Sequence, residues 1–116
     1  MKFSDDIAEF LFLLNKNSVE YLIVGGEAVI FYGYSRLTGD IDIFYNRTEK
    51  NVKLLFFTLN EFWNNNIPGN VQYDILLKKD TILQFGFPPN RLDLISSIDG
   101  IGFEECWKNK FSIEYE

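Results

Sequence analysis

Apolar positions recur along the chain with two different periods, and the switches between them mark the elements. Phe3, Ile7, Phe10, Leu11 and Leu14 fall at helical spacing, which predicts a helix from Ser4 to Lys16 left through Asn17-Ser18. Ser4 is placed to cap it, and Asp5 and Asp6 suit the positive end of its dipole. Tyr21-Leu22-Ile23-Val24 is a continuous apolar run, as in a strand covered on both faces, and Gly25-Gly26 ends it. Glu27 to Tyr32 reads as a short helix closed by Gly33, so the glycine pair falls at a strand-to-helix turn; a polar loop follows from Tyr34 to Gly39. Asp40 to Tyr45 alternates, with Ile41, Ile43 and Tyr45 on one face and Asp40, Asp42 and Phe44 on the other.

Helical spacing returns from Thr48 to Trp63, where Val52, Leu55, Phe56, Leu59, Phe62 and Trp63 form one stripe. These aromatics are read as core, not as a binding box. Asn64 to Asn70 is a loop, Asp74 to Lys79 a helical turn, and Thr81 to Phe85 a strand. Pro88-Pro89-Asn90 turns the chain into a strand at Arg91 to Ile95. Phe103 to Lys110 reads as a last helix, and Phe111 to Tyr115 as a last strand. The expected fold is α/β in the broad sense (α+β): one mixed sheet flanked by helices, in a single domain spanning residues 1–116.

Composition narrows the chemistry. A hydrophobic content of 47 % excludes a disordered chain. With 11 basic and 17 acidic residues the net charge is −6, which disfavours extensive binding to nucleic-acid backbones but permits an acidic pocket that gathers cations. There is no histidine, so histidine bases and histidine-ligated zinc are excluded. The single cysteine, Cys106, permits neither an internal disulfide nor a cysteine metal cluster and reads as a small helix residue. The opening residues lack the character of a signal peptide, and no run reaches the length of a membrane span; the expectation is a cytoplasmic protein with no membrane partner.

The remaining chemistry belongs to carboxylates. Asp40 and Asp42 stand two apart on one strand face, with Cα atoms about 6.6 Å apart. Both can reach one divalent ion, or span two. A hard cation with oxygen ligands, Mg²⁺ or Mn²⁺, relieves their mutual repulsion. Asp93, between Leu92 and Leu94, either pairs with an arginine or faces the same cleft. Arg91 contacts substrate or pairs with an acid, and Arg36 is either a phosphate clamp or an exposed loop residue. At Gly25-Gly26 a ligand can approach the backbone closely, and helix-start amides attract phosphate.

A glycine pair after a strand, Asp40-Ile41-Asp42 fourteen residues after Gly26, and a third aspartate on a later strand resemble the nucleotidyltransferase superfamily with the polymerase-beta-like fold. The stretches from Tyr21 to Val29, from Ser35 to Ile43 and from Pro88 to Ile95, with Asp99-Gly100 and Phe103-Glu104 after them, look like its small bacterial members. These include the minimal nucleotidyltransferases and the abortive-infection-type toxins and antitoxins, so the resemblance allows a place in a toxin–antitoxin system. The resemblance implies transfer of NMP from an NTP to a hydroxyl of a protein, RNA or small-molecule acceptor. It implies Asp40, Asp42 and Asp93 as catalytic metal ligands, and Gly25, Gly26, Arg36 and Thr38 at the nucleotide.

Two rival readings stand beside it. One is a non-catalytic module of the same fold, an antitoxin-like protein that binds a partner or a second copy; the short chain, Glu27 and the aromatic excess motivate it. The other is an Asp-x-Asp glycosyltransferase, for which the chain is short and the glycine pair has no role. A Walker-type loop and an EF-hand fail on their residues: no Gly-x-x-x-x-Gly-Lys occurs, and Tyr45 and Asn51 stand where an EF-hand starting at Asp40 needs Gly and Glu.

Overall fold

The computed structural model describes residues 5–25, 28–30, 41–86, 91–100 and 102–114. Helix α1 (Asp5–Lys16) buries Ile7, Phe10, Leu11 and Leu14 as its spacing requires. It ends where Ser18 takes φ 60° and the Val19 N–H reaches back to the Leu14 carbonyl. The capping role read for Ser4 lies outside the described residues.

Strand β1 (Tyr21–Gly25) pairs antiparallel with β2 (Ala28–Ile30) and with β3 (Ile41–Tyr45). Helix α2 (Glu49–Phe62) follows, capped by Thr48, whose hydroxyl accepts from the Asn51 N–H at 3.2 Å. A 3₁₀ turn at Pro68–Asn70, with Gly69 at φ 78°, and the short α3 (Tyr73–Leu76) bring the chain to β4 (Ile82–Phe85). Strand β5 (Leu92–Ile95) and helix α4 (Phe103–Glu114) complete the order.

The strands lie as β2-β1-β3-β5-β4, with β3 and β5 parallel and the other neighbours antiparallel. The sheet is therefore mixed and the class α+β, as expected. The alternation of β3 divides the interior. Ile41, Ile43 and Tyr45 join Leu92, Leu94 and the apolar sides of α1 and α2 in the main core. Phe44 turns the other way, beside Leu22, and α4 covers both with Phe103. The Phe44 and Phe103 rings meet edge to face at 5.2 Å. Among the described residues no helix is long and apolar enough to cross a membrane.

Two elements differ from the sequence reading. Ala28–Ile30 is a strand, not part of a helix, because it hydrogen-bonds along the outer edge of β1. Residues 111–114 continue α4 instead of forming a strand, since no glycine or proline interrupts the chain between Phe103 and Glu114.

Candidate functional site

The parallel pairing of β3 with β5 sets Ile41 opposite Leu92 and Asp42 opposite Asp93. Ile41 and Leu92 both enter the main core, so the two aspartates point to the other side of the sheet. They stand next to each other on strands that run about 4.8 Å apart. Val24 continues this row on β1, and Gln84 continues it on β4.

Asp93 is 6 % exposed, and its environment is built to hold it. Arg91, two residues earlier and so on the same face, donates from Nε to Oδ1 at 2.9 Å and from a terminal nitrogen to Oδ2 at 3.2 Å. Gln84 Nε2 adds a longer bond to Oδ2 at 3.4 Å. The Arg91 carbonyl accepts from the Ile41 N–H at 2.9 Å, which fixes the start of β5 against β3. Arg91 thus pairs with an acid, one of the two roles read for it. Asp93 likewise pairs with an arginine, and it shares a sheet face with Asp42. Asp42 is half-buried.

The structure thus brings together Asp42 and Asp93. Asp40, Gly26, Arg36 and Thr38 lie outside the described residues. Gly25 ends β1 opposite Ala28, and the chain resumes there as an edge strand. An antiparallel strand pair therefore stands where the sequence predicts a strand-to-helix turn with helix-start amides for phosphate. Among the described residues no group of three acidic, histidine or cysteine side chains is set to hold a metal ion. The Asp42–Asp93 pair by itself has the donor chemistry a hard divalent cation needs, two carboxylates on one face at neighbouring positions. Asp93 already accepts three hydrogen bonds, one at Oδ1 and two at Oδ2, so an ion there would share the carboxylate with Arg91 and Gln84.

Cys106 is half-buried against the Phe44 cluster, and burial, with a smaller effect from Glu105, pushes its thiol up. That environment disfavours a thiolate nucleophile. Gln84 is the site residue that sequence reading missed. Its signal was a lone amide in the strand Ile82–Phe85, but only the register shows that it faces Asp93. Compared with known proteins, the chain matches no family model, no curated protein and no solved structure.

Proposed function

We propose that the chain is a metal-dependent nucleotidyltransferase that moves NMP from an NTP to an acceptor hydroxyl. The observation that carries this reading is the register of Asp42 against Asp93, which sets two carboxylates from separate strands side by side. Asp42, with Asp40 two residues before it, and Asp93 are the residues that would hold Mg²⁺ or Mn²⁺. The bound ion would supply charge neutralisation at the triphosphate.

The chain's own contribution is positional. Asp42 and Asp93 fix where the α-phosphorus sits, and Arg91 sets the angle of the Asp93 carboxylate. The acceptor oxygen forms a bond to the α-phosphorus, the bond to pyrophosphate breaks, and Asp93 receives the hydroxyl proton. The likeness to small toxin–antitoxin enzymes suggests a protein, RNA or small-molecule acceptor.

A specific observation favours the second reading, a non-catalytic partner-binding module: both Asp93 oxygens are already engaged by Arg91 and Gln84. Incubation with α-labelled NTPs, Mg²⁺ and candidate acceptors separates the two. Transfer of label by the wild type and its loss in Asp42→Asn supports the transferase. Transfer that persists in Asp42→Asn removes it. No transfer, together with a stable heteromeric complex or homodimer, supports the module.

A further inference from the structure

The two parallel strands at the centre of the sheet send the chain to opposite faces. β3 leads into α2, which packs on the Ile43 and Tyr45 side, whereas β5 leads into α4, which packs on the Phe44 side. Where the connections of adjacent parallel strands part in this way, a crevice is left outside their carboxyl ends, and open α/β sheets bind ligands there. A cavity of about 470 Å³ occupies this position, bounded by the loop after β3, the loop after β5 and the start of α4. That is within the range of small-molecule sites.

Its lining sorts by charge. Arg47 and Lys79 contribute two exposed cations, and neither forms an ion pair among the described residues, although acids outnumber bases in the chain. Arg47 gives one N–H to the Leu77 carbonyl at 3.3 Å and keeps the rest of its fork available. The Ser96 hydroxyl, 3 % exposed, accepts from the Thr81 N–H at 2.8 Å and retains its own hydrogen to donate. The α2 and α4 helices, of 14 and 12 residues, both begin at the crevice and add the positive ends of their dipoles. Asp99 and Glu104 supply acceptors, and Phe103 an apolar wall.

We propose that this crevice binds a small phosphomonoester that carries hydroxyl groups. Its phosphate lies at Arg47 and Lys79, and its hydroxyls donate to Asp99 and Glu104. Asp42 and Asp93 line none of the cavity and stand further back along the same strands, so the proposal does not depend on the transferase reading.

Amide resonances of the full chain, followed during titration with glucose 6-phosphate, inorganic phosphate and glucose, test it. Saturable shifts are expected at residues 46–48, 79, 96–100 and 102–104, with glucose 6-phosphate bound about tenfold more tightly than either component. The double variant Arg47→Ala/Lys79→Ala is expected to lose them. The exposed control pair Lys53→Ala/Lys108→Ala and Asp42→Asn are expected to keep them. Absence of saturable shifts at these residues up to about 10 mM overturns the proposal. So does an equal loss in both double variants, or glucose binding as tightly as its phosphate.

Discussion

Arg91 grips Asp93 through both carboxylate oxygens, at 2.9 and 3.2 Å, from a position two residues earlier on the same strand face. The side chain of Asp93 is 9 % exposed and that of Arg91 31 %, so the acid depends on the guanidinium more than the reverse. Arg91→Ala strands a buried carboxylate and is expected to cost about 2 kcal/mol, less than a fully buried pair because water reaches the arginine side. Arg91→Lys restores only part of this, since an ammonium lacks the two-pronged geometry. On the transferase reading, Arg91→Ala also frees Asp93 for a cation. Mg²⁺ is then expected to raise its melting temperature more than that of the wild type. Thermal unfolding with and without Mg²⁺ checks both halves of this expectation.

The junction of β1, β3 and α2 depends on Asn51. Its Oδ1 accepts from the Glu20 N–H at 2.7 Å, and its Nδ2 donates to the Glu20 carbonyl at 3.0 Å and the Asn46 carbonyl at 2.7 Å. In Asn51→Ala the Glu20 N–H and the Asn46 carbonyl lose this partner, while the Glu20 carbonyl keeps only the Asn46 N–H at 3.1 Å, at an expected cost of about 3 kcal/mol. Urea denaturation should show a lower midpoint at an unchanged slope.

Two tyrosines at α3, Tyr73 within it and Tyr45 bonded to its last residue, should respond oppositely to loss of the hydroxyl. Tyr45 donates to the Leu76 carbonyl at 2.7 Å. The Tyr73 hydroxyl is buried with no hydrogen-bond partner among the described residues, while its ring meets Phe56 edge-on at 6.2 Å. Tyr45→Phe is expected to destabilise by about 1–2 kcal/mol, and Tyr73→Phe to stabilise by about 1 kcal/mol. Chemical denaturation of the two variants at neutral pH reads both signs.

Tyr45 also sets an alkaline limit. Burial pushes its phenol up to about 12, against a smaller opposing effect of Arg47. Below the unfolded value of about 10 both states hold the proton and the stability is fully present. Between about 10 and 12 the unfolded chain loses its proton first. Stability then falls as pH rises, by on the order of 2 kcal/mol. Tyr45→Phe should flatten this limb in a series of denaturation curves.

Periodicity located most of these elements because each long helix and central strand has its own apolar face. The assignment of Ile41, Ile43 and Tyr45 to one side of β3 and Phe44 to the other needed no more than alternation. Ala28–Ile30 was not legible: three apolar residues carry no period, and Glu27-Ala28 favours a helix until an edge of β1 is there to pair with. The alternation in Phe111-Ser112-Ile113-Glu114 suggested a strand, but the helix begun at Phe103 continues through it. Asp93 and Arg91 could be placed on one face from their spacing. That Asp42 lies opposite Asp93, with Gln84 beyond, follows only from the parallel register of strands about fifty residues apart in sequence. Asn46 and Asn51 gave no signal, because a buried polar network has no sequence period.

Line broadening by Mn²⁺ in the amide spectrum, with a non-hydrolysable NTP present, tests the carboxylate pair most directly. Saturable broadening is expected to begin at residues 42 and 93, strengthen with nucleotide and disappear in Asp42→Asn. Broadening spread evenly over the acidic surface, or unchanged in Asp42→Asn, would contradict it.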